Sequence, residues 1–143
     1  MTKEEWAQTE EKLKHQFNPV TLICDGYRLQ LQLSRISAMS LGITFYVNGW
    51  MRGEWIFNDC EERQRFFRPQ TKQCYSARQK KIYRGISAKT RKEWQIDLKK
   101  TVAYYSFYWT SFRALKAHLI KHNQSIELLP SDIIAIPGGH LEI

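Results

Sequence analysis

The chain has 143 residues, of which 43% are hydrophobic and 25% charged, and its formal net charge is +8. This length suits one domain, and this composition argues against disordered, collagen-like and coiled-coil proteins. No apolar run approaches the roughly 18 residues of a membrane span, and the first residues lack an apolar signal region. Three cysteines are too few for a disulfide framework. We therefore expect a cytoplasmic protein without a membrane partner.

The beginning of the chain predicts one helix. Residues 2–17 place Trp6, Leu13 and Phe17 near one helical face, and their acidic side chains precede their basic ones. The helix is expected to end at residues 18–19, because proline disfavours a helical residue before it.

Residues 20–57 predict a four-stranded antiparallel meander. Its middle strands alternate apolar with polar side chains, which is typical of a sheet with one buried face. Asp25-Gly26 and Asn48-Gly49 are strong hairpin-turn signals. The predicted strands are Val20–Cys24, Tyr27–Ser34, Leu41–Val47 and Trp50–Phe57.

Short helices dominate the prediction for the rest of the chain. A helix over 59–67 is expected to begin at Asp59, with Glu62 completing a capping box, and Ser76 with Gln79 predicts a second capping box. The further predicted elements are helices over 76–86 and 88–96, a β-like segment at 101–105, a helix from Thr110 or Ser111 to His122, apolar runs at 126–129 and 133–136, and a turn at 137–139. Together these elements predict one α+β domain over residues 1–143, in which the meander packs with the N-terminal helix and several short C-terminal helices.

Positive charge is concentrated in one part of the sequence. Residues 1–62 carry a net charge of −3, residues 63–100 carry +11, and residues 101–143 balance to zero. Such a block keeps a protein soluble, and it also attracts polyanions, because lysine and arginine neutralise phosphates and release counterions. We predict that this basic helical block contacts nucleic acid or a partner. The predicted contact residues are Arg63, Arg65, Arg68, Arg78, Lys80, Lys81, Arg84, Lys89, Arg91 and Lys92.

Large aromatic side chains lie within the basic block and after it. Those within the block are expected in the core, since rings are usually buried for packing, although tyrosine and tryptophan can also stack on exposed bases. The stretch 104–109 holds five rings in six residues. It predicts either a partner surface that includes Tyr108 and Trp109 or an aromatic core around a small sheet. The rings expected in the core are Phe66, Phe67, Tyr83 and Trp94.

Patterns for catalysis or metal binding are weak. Residues 97–99, with Asp59 upstream, have the acid-x-Lys spacing of metal-dependent nucleases, but a three-residue pattern is common by chance. His118 and His122 share a helix face, yet a zinc site needs two further ligands. We therefore expect no cofactor, no metal and no catalytic residue, and a metal-dependent nuclease is the third functional alternative.

Several short motifs between residues 27 and 128 are considered together. They are Tyr46-Val47-Asn48-Gly49-Trp50, Gly53-Glu54-Trp55, Asp59-Cys60-Glu61, Arg63, Arg65, Phe66-Phe67-Arg68-Pro69, Tyr75-Ser76, Lys80-Lys81, Tyr104-Tyr105-Ser106, Trp109-Thr110-Ser111-Phe112, Leu115-Lys116 and His118-Leu119-Ile120-Lys121. This set resembles a family of small phage and prophage proteins. The resemblance implies an accessory gene product in a bacterial host, and it implies no particular activity or catalytic residue.

Small phage proteins of this kind include nucleic-acid binders and inhibitors of host defences, including anti-CRISPR proteins. This chain departs from the acidic DNA-mimic type of inhibitor, because it is basic. We predict a non-enzymatic phage accessory protein that binds nucleic acid, or a nucleic-acid-containing host complex, through the basic block. The alternative is an inhibitor of a host defence system that binds a host protein directly. The sequence leaves DNA, RNA and protein targets open, and it leaves the oligomeric state open.

Overall fold

The protein is a mixed α+β structure with an antiparallel sheet and several helices, as the sequence predicts. The computed structural model describes residues 1–130 and the backbone of residues 140–142. Contacts along the chain group it into two compact units. We call Met1–Arg68 with Tyr105–Ile143 the sheet unit, and Pro69–Tyr104 the basic unit. The prediction of a single domain stays a prediction.

The described residues form six helices and nine strands. The helices are α1 (Lys3–Lys12), α2 (Glu54–Phe57), α3 (Glu61–Phe66), α4 (Ala77–Arg84), α5 (Ala88–Glu93) and α6 (Phe112–His122). The strands are β1 (Val20–Cys24), β2 (Tyr27–Ser37), β3 (Ser40–Val47), β4 (Trp50–Arg52), β5 (Arg68–Gln73), β6 (Thr101–Ser106), β7 (Tyr108–Trp109), β8 (Ile126–Leu128) and β9 (His140–Glu142). None of the helices formed by the described residues is long and apolar enough to cross a membrane.

The sheet unit is built on seven strands in the order β8-β1-β2-β3-β4-β9, with β7 also paired to β3. Strands β4 and β9 run parallel, and the other pairs are antiparallel. Both predicted hairpin turns are confirmed. Asp25, Gly26, Asn48 and Gly49 all have positive φ angles, which the tight two-residue turns require.

The core of the sheet unit lies between one face of the sheet and the helices. Leu31 and Phe45 pair across β2 and β3 and are fully buried, and Leu115 and Leu119 of α6 pack into the same cluster. Phe66 and Phe67 are also fully buried, which confirms their predicted place in the core. Apolar residues at helical spacing on α6 and at alternate positions on the strands therefore meet in one layer.

Several boundaries predicted from the sequence are wrong. Helix α1 ends at Lys12 and not at residue 17, and Phe17 has a φ of 63° and is almost fully exposed. The predicted fourth strand stops at Arg52, because Gly53 begins the short helix α2. Cys60, not Asp59, caps α3, and its Sγ atom accepts the Arg63 N–H at 3.4 Å.

Of the described C-terminal elements, α6 and β8 agree with their predictions, whereas β9 was not predicted. Ser111 caps α6, which runs to His122, and β8 occupies most of the predicted run 126–129. The predicted apolar run at 133–136 and turn at 137–139 lie outside the described residues.

The basic unit has its own small framework. It holds α4, α5 and most of the two-stranded sheet formed by β5 and β6. None of its side chains is fully buried, and Tyr75 and Tyr83 make an edge-to-face contact with ring centroids 5.5 Å apart. Tyr83 is therefore only partly buried, and the prediction that it belongs to the main core is wrong.

Candidate nucleic-acid interface

The net positive charge of the whole protein equals that of the basic unit. Residues 69–104 contain ten lysines and arginines but only Glu93 and Asp97 as acids, which gives a net charge of +8. The remaining residues of the chain carry equal numbers of positive and negative side chains. The predicted basic block is therefore divided in the structure. Residues 63–68 belong to the sheet unit, and residues 69–100 belong to the basic unit.

Helices α4 and α5 begin at serine N-caps, which set the residue at which each helix starts. Ser76 Oγ accepts the Gln79 N–H at 3.2 Å, and Gln79 Oε1 accepts the Ser76 N–H at 2.8 Å, so the predicted capping box is confirmed. Ser87 Oγ accepts the Thr90 N–H at 3.2 Å at the start of α5. Each cap satisfies a backbone donor that a short helix otherwise leaves to water.

A left-handed residue ends α5 and turns the chain back. Gln95 has a φ of 56°, its N–H donates to the Lys92 carbonyl at 3.2 Å, and the Ile96 N–H donates to the Arg91 carbonyl at 2.8 Å. This pair of bonds is the usual glycine-type helix C-cap, made here by glutamine. Asp97 Oδ1 then accepts the Lys99 N–H at 2.9 Å, which shapes the following turn.

The two helices and this turn enclose an open groove with a volume of about 620 Å³. Helix α4 contributes two cations one turn apart, α5 contributes positions 88, 91 and 92, and Gln95 lines the groove from the turn after α5. Among the described lining residues, Asp97 is the only carboxylate. The charged lining residues are Lys80, Arg84, Arg91, Lys92, Lys99 and Asp97.

The cations of this groove form no ion pair with the carboxylates of the described residues. Among the described residues, no cation of the basic unit lies within 4.0 Å of a carboxylate. Lys80 Nζ instead donates to the uncharged Oε1 atom of Gln73. Arg91 is partly buried, and its Nε–H has no hydrogen-bond acceptor within the part of the chain that the structure describes. The groove therefore presents positive charge to solvent.

The predicted contact residues at the start of the block have structural partners in the sheet unit. The guanidinium of Arg63 lies 3.9 Å from the ring centroid of Tyr105, and Arg65 pairs with Asp25 at 2.6 Å and with Glu61 at 2.8 Å. These contacts tie the two arginines to the fold. Arg68 Nη1 donates to Thr110 Oγ1 at 3.3 Å. We therefore do not assign Arg63, Arg65 or Arg68 to the groove.

The other predicted cations divide into two sets. Lys80, Arg84, Arg91 and Lys92 line the groove, whereas Arg78, Lys81 and Lys89 are exposed on α4 and α5 and do not. Lys99 and Gln95 also line the groove and were missed by the sequence analysis. No helical signal predicts either residue, because Gln95 lies beyond the end of α5 with a left-handed φ and Lys99 joins the site through the turn that follows.

The aromatic residues predicted as core or partner contacts differ in how far they are buried. Trp109 is only 3% exposed, and its Nε1–H donates to the Phe66 carbonyl at 3.0 Å, so it is a core residue and is not accessible to a partner. Tyr108 is partly buried, and Phe107 is 41% exposed. Trp94 is 60% exposed, so its predicted place in the core is wrong.

No cluster of three or more histidine, cysteine, aspartate or glutamate side chains able to hold a metal ion occurs among the described residues. The rings of His118 and His122 lie with their centroids 4.2 Å apart on α6. His118 Nε2 donates to the Gln64 carbonyl at 3.0 Å, which gives this ring a structural role. Burial and the neighbouring His122 lower the pKa of His118 to about 4.

Comparison with known proteins adds no relatives. No family model, curated protein or solved structure matches this chain significantly. The resemblance to small phage proteins therefore stays a prediction.

Proposed function

We propose that the protein binds nucleic acid through the groove between α4 and α5. The observation that carries this proposal is the set of five cations lining one groove, none of which has a carboxylate of the described residues within ion-pair distance. Two of these cations are arginines, whose planar guanidinium suits the geometry of a phosphate group. When lysine and arginine neutralise phosphates, the counterions condensed on the nucleic acid are released, and this release favours binding.

The cations of the groove can contact the phosphates of a nucleic acid, but they form no recognised motif for reading its bases. Among the described lining residues, Asp97 is the one carboxylate, and it already accepts a backbone N–H. Phosphate contacts position a nucleic acid without reading its sequence. Binding is therefore expected to be independent of sequence.

A salt titration tests this proposal. The purified chain is mixed with labelled single-stranded and duplex oligonucleotides at several salt concentrations, and affinity is measured by fluorescence anisotropy. If three to five phosphates are contacted, the logarithm of the association constant should fall with the logarithm of salt concentration with a slope of roughly −2 to −4. Absence of binding at low salt, or binding that does not respond to salt, would contradict the proposal.

Within this proposal, the protein acts as a phage accessory protein whose target is nucleic acid or a nucleic-acid-containing host complex. The alternative, an inhibitor that binds a host protein through the stretch 104–109, loses its strongest anchor, because Trp109 is buried. The third alternative, a nuclease, has no support from a metal-binding cluster among the described residues. Nucleic-acid binding through the groove therefore has the most support.

A further inference from the structure

Trp94 is an exposed aromatic residue whose neighbours in the sequence, Lys92 and Gln95, line the groove. It is the C-cap residue of α5, and its backbone N–H donates to the Thr90 carbonyl at 2.9 Å. Its indole is 60% exposed and has no aromatic or cation contact within the described part of the chain. The backbone of the residue is thus fixed by the helix end while its ring remains open to solvent.

The neighbours of Trp94 connect it to the cationic groove. Arg91, Lys92 and Gln95 all line the groove, and they lie within three residues of Trp94 at the end of the same helix. Trp94 does not itself line the groove, but it follows Arg91 by three residues, a spacing that makes two side chains neighbours on a helix surface. A ligand that contacts Arg91 and extends past the end of α5 can therefore reach the indole. A ring with this exposure and these neighbours is suited to stacking on a planar group of the same ligand.

The two forms of nucleic acid differ in what they offer to such a ring. In a duplex the bases are stacked on one another and their faces are covered, so the phosphates can be contacted but the indole finds no free base face. A single strand is flexible enough to enter a groove, and its unpaired bases can stack on aromatic side chains. The combination of a cationic groove and an open indole therefore favours a single strand.

We infer that the basic unit binds single-stranded nucleic acid in preference to a duplex, with Trp94 stacking on one base while the groove contacts the phosphates. This inference rests on the proposed function. It adds a ligand class and a residue that acts by stacking instead of by charge. DNA and RNA strands offer the same base faces and phosphates, so separate probes distinguish these two sources.

The experiment compares Trp94 variants with a matched variant at another exposed apolar position. Trp94→Ala, Trp94→Leu and Trp94→Phe are titrated with an oligothymidylate and an oligouridylate of roughly fifteen nucleotides, and with a duplex of the same length. Ile82→Ala is the control, because Ile82 lies on α4, is also 60% exposed and does not line the groove. Thermal unfolding of each variant verifies that it folds.

Single-strand affinity should exceed duplex affinity in the parent protein. Trp94→Ala and Trp94→Leu should each weaken single-strand binding about tenfold, because both remove the aromatic face, whereas duplex binding should change little. Trp94→Phe should retain most of the affinity, and Ile82→Ala should bind like the parent. Trp94 is one of five tryptophans in the chain, so quenching of tryptophan fluorescence by the strands, and not by the duplex, should be seen in the parent and be absent from Trp94→Phe.

The failures of the inference and of the proposed function are distinguishable. Equal affinity for strand and duplex, or unchanged single-strand binding in Trp94→Ala, overturns the inference while salt-dependent binding still supports the proposed function. Loss of affinity in Ile82→Ala equal to that in Trp94→Ala also overturns it, because the effect is then not specific to stacking. Absence of binding to every probe overturns both, and directs attention to an acidic protein partner.

Discussion

The Nη1 atom of Arg65 donates a hydrogen bond to the Oδ2 atom of Asp25 at 2.6 Å, although the two residues are 40 positions apart in the sequence. Asp25 also accepts the N–H groups of Gln124 at 2.9 Å and Ser125 at 2.8 Å, and Arg65 also donates to Asn123 Oδ1 at 2.9 Å. The β1–β2 turn, α3 and the segment after α6 are therefore joined by one polar network. This network explains why Arg65 serves the fold of the sheet unit.

Asp25→Asn should destabilise the protein more than Glu61→Gln. Both changes remove a carboxylate from Arg65, but the Asp25 side chain is 20% exposed and that of Glu61 is 56% exposed, so the first pair is less screened by water. Asparagine tolerates the positive φ of position 25, which separates loss of charge from backbone strain. Urea unfolding at neutral pH measures the difference. Equal losses would contradict the assigned role of Asp25.

The same carboxylate gives a prediction for acid unfolding. The N–H of Gln124, the Arg65 guanidinium and the N–H of Ser125 lower the pKa of Asp25 below its ordinary value of 3.8. Its stabilising effect is therefore complete above pH 3.8 and is lost as the pH falls through the lower pKa of the folded state. The parent should lose stability in this acid range more steeply than Asp25→Asn.

His118 should make the protein less stable as the pH falls from about 6.5 to about 4. Burial and His122 lower the pKa of His118 to about 4, so the unfolded chain binds this proton first and is favoured over that range. The loss should be about 2 kcal/mol, after allowing for the partial exposure of the ring. His118→Gln should flatten the pH dependence between pH 7 and pH 4.5, whereas His122→Gln should leave most of it in place. Identical profiles for the parent and His118→Gln would contradict this assignment.

Trp109 and Phe107 should respond in opposite ways to truncation, although they lie two residues apart. Trp109→Ala should cost about 3–5 kcal/mol, because it empties a core position and leaves the Phe66 carbonyl without its donor. Phe107→Ala should change the free energy of unfolding by less than about 0.5 kcal/mol, because its ring is already partly in water. Denaturant unfolding measures both, and a small effect at Trp109 would show that it is not a core residue.

Gln95→Gly should stabilise the end of α5. Glutamine at a φ of 56° carries a conformational penalty that glycine does not, and this exceeds the entropy that glycine adds to the unfolded chain. A gain of about 0.5–1 kcal/mol is expected in thermal or urea unfolding. Gln95→Ala should give no such gain and is the matched control. A loss of stability in Gln95→Gly would show that the glutamine side chain itself holds the turn.

Local signals in the sequence predicted most of the elements but not the ends that depend on tertiary packing. The hairpins at Asn48-Gly49 and Asp25-Gly26 and the caps at Ser76 and Ser111 are set by short-range backbone chemistry, and all four are confirmed. The ends of α1 and β4 are set by packing and by the start of α2, and neither was predicted correctly.

The candidate site was predictable in composition but not in geometry. Clustered charge identified the basic block, but Arg63 and Arg65 have their partners in distant parts of the sequence, at Tyr105 and Asp25, and no local pattern reveals this. Lys99 enters the groove only because residues 95–97 reverse the chain after α5. A helical wheel separates Arg84 from Arg78, but it cannot show which face borders a groove.

The central claim is that the groove, and not charge in general, binds the nucleic acid, and a pair of charge-matched variants tests it most directly. Arg84→Gln with Lys92→Gln removes one arginine and one lysine from the groove, and Arg78→Gln with Lys89→Gln removes the same two types from exposed positions outside it. Affinity for a labelled oligonucleotide is measured over a salt series, with thermal unfolding as the folding control. The groove variant should bind at least about tenfold more weakly and lose about one unit of salt slope for each lost phosphate contact, whereas the outer variant should change affinity less than about threefold. Equal loss of affinity in the two variants would contradict the claim, because binding would then follow net charge and not the groove.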